Sequence, residues 1–141
     1  MKLVRLLGVF VLLAALEPSY AQTSRVSKEQ LQELFDSISE HTDWDISGDM
    51  TWAYFFTDAD KSALERVASI LDERGYLIKG IYLSDEELGD EPDVWSLYVE
   101  KVETHSVDSL NATNIAFHAF AEKHHLDSYD GAYVRPVEAS D

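Results

Sequence analysis

Three groups of side chains in this chain of 141 residues have types and spacings that could do chemistry. His118, Glu122 and His125 stand at i, i+4 and i+7, and two imidazoles with a carboxylate make a zinc-type donor set if a helix brings them to one line. A zinc site also needs a fourth ligand or water and an ordered outer shell, and neither is visible in sequence. Solvent-facing histidines are the commoner outcome, so no metal is expected. The second group, Asp43, Asp45, Ser47 and Gly48, resembles the opening of a calcium loop, with alternating oxygen ligands before a turning glycine. Its twelfth position is Tyr54 where a bidentate glutamate would be needed, and Asp, Ser and Gly are also ordinary turn residues. The third group is Asp85, Glu86, Glu87, Asp90, Glu91 and Asp93, interrupted by Gly89 and Pro92. Six like charges repel and keep a loop solvated; they also offer a docking patch to a basic protein surface.

Nucleophilic catalysis has little to work with. The chain has no cysteine, which excludes thiolate ligands, disulfides and cysteine nucleophiles. No G-x-S-x-G elbow and no phosphate-cradling glycine loop occurs. Carboxylates are abundant, but without a fixed pair or a poised histidine they do not make a catalytic site. No catalytic residue and no cofactor is expected.

Charge narrows the partners. Against 27 acidic residues stand 11 basic ones, a net charge of -16. Nucleic-acid binding by counterion release needs a basic face, so direct binding to nucleic acid is not expected. A surface this acidic is repelled by anionic membranes and attracted to a basic protein.

Residues 1–21 have the form of a secretory signal peptide. Lys2 and Arg5 precede an apolar run from Leu6 to Leu16, Pro18 breaks it, and Ser19-Tyr20-Ala21 is a small-x-small cleavage site. The run falls short of the roughly twenty apolar residues that a spanning helix needs. The expectation is a periplasmic or secreted domain of residues 22–141, cleaved after Ala21, with no stable membrane anchor afterwards.

The elements follow from periodicity. Ser27 with Gln30 forms a capping box, and Leu31, Leu34, Phe35 and Ile38 give a first amphipathic helix. Trp52, Tyr54 and Phe56 alternate in a buried strand, and Thr57 with Asp60 is expected to cap the next helix. Leu64, Val67, Ile70 and Leu71 mark that helix's apolar stripe, and Gly75 is placed to end it. Tyr76 to Leu83 and Val94 to Val102 read as an antiparallel hairpin, loosened at Gly80, with Trp95, Leu97 and Val99 on the core side and Ser96, Tyr98 and Glu100 on a wetter one. A last helix, capped by Thr104 or Ser106 and running to about His125, buries Leu110, Phe117, Phe120 and Ala121 and leaves Ile115 off the stripe. Tyr129-Asp130-Gly131 opens a final strand that ends at Pro136. The order βαββαβ predicts an α+β, ferredoxin-like two-layer sandwich with an extra N-terminal helix, at an edge or across the open sheet face.

On these residues the sequence resembles the regulator of ribonuclease E activity B (RraB) family. The likeness rests on Trp52 to Asp58, on Leu71-Asp72-Glu73-Arg74-Gly75-Tyr76, on Ala121-Glu122-Lys123, and on Tyr129-Asp130-Gly131 as its strongest marker. Ala132 stands where family members commonly carry tryptophan. The resemblance implies a non-catalytic domain that binds a protein and inhibits an RNA-processing nuclease. An exported member would not meet ribonuclease E, which is cytoplasmic. The expected function is therefore a protein-binding regulator acting on a basic partner, a nuclease among the candidates. The contact residues expected are Asp85, Glu86, Glu87, Asp90, Glu91, Asp93, Tyr129 and Asp130. The alternatives are a cytoplasmic inhibitor of ribonuclease E, an immunity-type inhibitor of a toxin nuclease, and a metal-dependent enzyme.

Overall fold

The computed structural model describes residues 26–84 and 93–138, together with the backbone of 9–10. Five strands and three helices occur among them: β1 (Val9–Phe10), α1 (Lys28–His41), β2 (Met50–Asp58), α2 (Lys61–Glu73), β3 (Leu77–Leu83), β4 (Trp95–Glu103), α3 (Val107–Lys123) and β5 (Ser128–Arg135). None of these helices is long and apolar enough to cross a membrane.

The strands form one antiparallel sheet in the order β1-β5-β2-β4-β3. Without the two-residue β1, that is the four-one-three-two order of a ferredoxin-like split βαβ motif. β1 lies within the apolar run of the N-terminal segment, with Val9 opposite Val134 and Phe10 opposite Tyr133.

Period-two burial separates the two sheet faces. Trp52, Tyr54 and Phe56 of β2, Leu97 and Val99 of β4 and Ala132 and Val134 of β5 are all essentially inaccessible. They pack with Leu64, Val67 and Leu71 of α2 and Leu110, Phe117 and Phe120 of α3 in a single core. The ring of Phe117 meets Tyr54 at 5.0 Å and Phe56 at 5.2 Å. Helix α1 joins this layer: Leu31 and Ile38 enter the core, Phe35 stacks on Trp52 at 6.2 Å, and the helix packs beside α3. The N-terminal helix thus leaves the open face uncovered, a correction to its expected place, because Trp52 offers it a large apolar surface on the helix side.

The caps explain where the helices begin. Ser27 and Gln30 close their expected box on α1. Thr57 does not cap α2. It stays in β2, its hydroxyl 2.7 Å from that of Ser128, and Asp60 caps instead by accepting from the Ser62 amide. Asp58 holds this turn to the one before β5, accepting from the Asp60 and Asp127 amides while Asp127 accepts from the Ala59 amide. Ser106 caps α3 in a box with Ser109.

The C-terminal ends of α2 and α3 share one geometry. In each, the second residue after the cap donates to a carbonyl five positions back: Tyr76 to Leu71, and Leu126 to Ala121. This Schellman motif needs a left-handed residue between them. Gly75 supplies it at φ 94° and His125 at φ 60°.

Candidate protein-docking surface

The expected contact residues fall in different places. Asp93 is exposed, just before β4. Asp85, Glu86, Glu87, Asp90 and Glu91 lie outside the described residues. Tyr129 is not on the surface: it is 3% exposed, its ring packs on Phe56 and Phe117, and its hydroxyl donates to Asn114 Oδ1 at 2.6 Å. With so little surface to offer, it anchors β5 to α3. Asp130, the next residue, is half-buried and accepts from the Ser128 hydroxyl at 2.6 Å. Burial pushes its carboxyl pKa up, only partly offset by that bond.

The run Tyr129-Asp130-Gly131 marks a β-bulge. Between Phe55 and Phe56 the pairing of β2 with β5 skips one residue, so Phe56 faces Tyr129 and Phe55 faces Gly131, leaving Asp130 as the extra residue. Gly131 takes φ 110°, which a side chain would resist. The three residue types thus serve three tasks: core anchor, displaced carboxylate and permissive backbone.

The open face carries a second constellation. Phe55 stacks on Tyr98 at 4.9 Å and 12°, with Tyr133 edge-on to Phe55 at 6.4 Å. Glu100 lies below the surface at 5% exposure, accepting from the Tyr98 hydroxyl and from Arg135 Nη2, each at 2.6 Å. Burial opposes the Arg135 charge, but Glu100 more than offsets it, and the guanidinium pKa is raised. Burial and the bond to Glu100 likewise keep the Tyr98 phenol protonated. Beside this pair a groove of about 520 Å³ opens between Leu77, Val102 and Val137, three of the exposed large apolar side chains. The sequence grouped Tyr98 and Glu100 on the face away from the core, as found, but expected that face to be wetter, whereas Glu100 is buried on it. It gave no sign of the Arg135 pairing, because strand register rather than spacing brings residues 100 and 135 together.

A buried polar cluster was also missed. Tyr54 donates to Glu103 Oε2 at 2.6 Å, and His105 Nε2 lies 2.9 Å from Tyr54 Oη and 3.2 Å from Glu103. His105 Nδ1 lies 2.8 Å from Ser109 Oγ. The order Ser109, His105, Glu103 has the composition of a hydrolytic triad. Here, however, Ser109 Oγ is engaged by the Ser106 amide in the α3 cap. The cluster therefore pins the start of α3 to the end of β4. For Glu103, burial alone would raise the carboxyl pKa, but the bonds from His105 and Tyr54 outweigh it and lower the value.

Neither sequence-level metal motif is assembled. Asp45 accepts from the amide and hydroxyl of Ser47, an ordinary Asx turn. α3 ends at Lys123, so His125 departs from the helical line of His118 and Glu122. Among the described residues no group of three or more His, Asp or Glu side chains converges.

A comparison with protein families matches residues 28–131 to the model described as Regulator of ribonuclease activity B. No curated protein and no solved structure matches the chain. The matched span runs from the first residue of α1 to the bulge glycine of β5, taking in the three helices and the buried cluster and stopping short of Tyr133 and Arg135 on the open face.

Proposed function

Because this chain belongs to the regulator of ribonuclease activity B family, we propose that it regulates a ribonuclease by docking on a basic surface of that enzyme, without catalysing a reaction itself. The observation that carries this reading, beyond the family, is the imbalance of 27 acidic over 11 basic residues. Such a surface competes with RNA for arginine-rich protein by presenting carboxylates where the substrate presents phosphates. The proposed contacts are the carboxylates Asp85, Glu86, Glu87, Asp90, Glu91 and Asp93, with Asp130 and the aromatics of the open face beside it. Tyr129 supports them from within the core. The N-terminal segment suggests an exported protein with a periplasmic or secreted nuclease as target.

A reading in which the N-terminus is kept has one observation in its favour, the pairing of Val9–Phe10 with β5. In that case the chain stays in the cytoplasm and ribonuclease E is the target. Intact mass of the protein from its native host separates the two: loss of residues 1–21 supports export, and a full-length mass supports the cytoplasmic reading. The regulatory function is tested by titrating the purified protein into ribonuclease E cleaving a fluorogenic RNA, and into extracts of each cell compartment. Inhibition without RNA binding by the protein is expected. Unchanged cleavage in every preparation, or tight binding of the RNA itself, would overturn the proposal.

A further inference from the structure

An outer strand offers a row of backbone N–H and C=O groups to any other strand, and proteins blunt it with bulges, prolines or charge. The two long strands on the outside of this sheet, β3 and β5, are guarded differently. On β3 the guard lies within the strand: its pairing with β4 skips Lys79, and the Tyr82 hydroxyl donates to the Lys79 carbonyl at 2.9 Å. On β5 the guards stand only at the ends. The bulge at Asp130-Gly131 interrupts one end, and Pro136, which has no N–H, follows the other. Between them residues 132–135 pair regularly with β2, and Ala132, Tyr133 and Val134 carry no charge.

That unguarded stretch is where a strand is seated. β1 pairs antiparallel with it, Val9 opposite Val134 and Phe10 opposite Tyr133. Among the described residues no other strand lies on this side of β5. A two-residue pairing has few backbone bonds of its own and gains mainly from its tether, which keeps the local concentration high. The described core is drawn from residues between Val26 and Val134. Residues 9 and 10 fall inside the segment 1–21 that has the form of a signal peptide. On the export reading its removal takes the seated strand away and leaves the outward backbone groups of residues 132–135 without a protein partner.

We propose that the β5 edge is a strand-acceptor site for a partner protein, held by β1 in the unprocessed chain and opened when residues 1–21 are removed. The opening step rests on the export reading of the N-terminus. The incoming segment is extended, antiparallel to β5, and carries two adjacent bulky apolar residues. The one facing Val134 projects toward the helix layer, and the one facing Tyr133 projects to the open face near Phe55. Apolar cross-strand pairs at both positions add to the backbone bonds. Basic residues flanking the pair suit a chain of net charge -16. The acceptor strand itself carries Asp130 and Tyr133, so a strand added here adjoins the contacts proposed above.

The probe is a fluorescent peptide of residues 7–11, Leu-Gly-Val-Phe-Val, flanked by lysines. Its anisotropy is read against the full chain and against residues 22–141, each checked for fold by circular dichroism. The shorter chain is expected to bind it at least about tenfold more tightly, because the edge of the full chain is already filled. Methylating the backbone nitrogens of the peptide's Val and Phe keeps both side chains and removes their donors, and is expected to weaken binding at least about tenfold. Exchange of the outward amides within residues 132–135 is expected to be slow in the full chain, fast in the shorter one, and slow again with peptide. Val9→Pro with Phe10→Pro in the full chain opens the same edge without truncation and is expected to match the shorter chain, so a truncation that disturbs the fold still leaves a decisive sample. Equal binding by the filled and opened chains, or by the methylated peptide, would overturn the proposal. So would an opened chain that dimerises in sedimentation and excludes the peptide, which gives the edge to a second copy. A full-length native mass removes the export reading and the opening step with it, while the peptide still judges the acceptor edge.

Discussion

Asp130 is the residue whose environment most clearly opposes its own charge. It is half-buried, it accepts a hydrogen bond from Ser128, and its carboxyl pKa is raised from the ordinary 3.8 by burial. A raised carboxyl pKa makes the folded state prefer the proton. The resulting penalty is absent below the unfolded value, grows as pH climbs to the folded value, and is constant above it. Asp130→Asn, whose carbonyl can still accept from Ser128, should therefore raise the urea midpoint near about pH 7 and leave it unchanged near about pH 3, below the unfolded carboxylate value. If the charge serves partner binding, the same variant should inhibit the target less, a stability gain at the expense of function. Glu100 is held by partners on two sides. It is buried and satisfied by Arg135 and Tyr98, so Arg135→Ala leaves a buried carboxylate with one phenol partner. A loss of about 3 kcal/mol in chemical denaturation is expected, and adding Glu100→Gln should restore more than half of it.

Turn chemistry at the element scale gives a matched pair of predictions. The Schellman motifs after α2 and α3 require the same left-handed residue, supplied by Gly75 in one and His125 in the other. A methyl group added at Gly75 would meet no atom within 4 Å, so Gly75→Ala tests backbone strain alone. It should cost about 1 kcal/mol, and Gly75→Asn less. His125→Gly should do the reverse and stabilise by up to about 1 kcal/mol, measured in the same thermal melts. These motifs also show what could be read in advance. Gly75 was legible because glycine announces a left-handed end. His125 was not, so α3 read two residues too long and a metal line could be drawn through a residue that has already turned away. Ser27, Ser106 and the alternation of β2 and β4 were legible because their partners lie within a few residues. The position of α1 was not, since both sheet faces offered apolar surface and only tertiary contacts, Leu31 and Ile38 in the core and Phe35 on Trp52, decide between them. The ion pair of Glu100 with Arg135 was hidden for the same reason, being set by strand order.

At the scale of the whole molecule, two kinds of force act on a partner and separate by range. The net charge of -16 produces a field that would reach a basic partner before contact, but only as far as the salt allows. The contacts proposed at Asp93, Asp130 and the open-face aromatics would act after docking and hold the complex together. The first should govern the association rate and the second the dissociation rate. Raising the salt from about 20 mM to about 300 mM shortens the screening length from about 20 Å to about 6 Å, and should slow association by tenfold or more while changing dissociation little. Asp130→Asn should do the converse, hastening dissociation at every salt concentration with nearly unchanged association. Stopped-flow mixing with the ribonuclease found in the titrations above reads both rates in one experiment. If salt acts mainly on dissociation, the carboxylates are docked contacts and the steering field is unimportant. If neither rate responds to salt, a basic surface is not what this protein recognises.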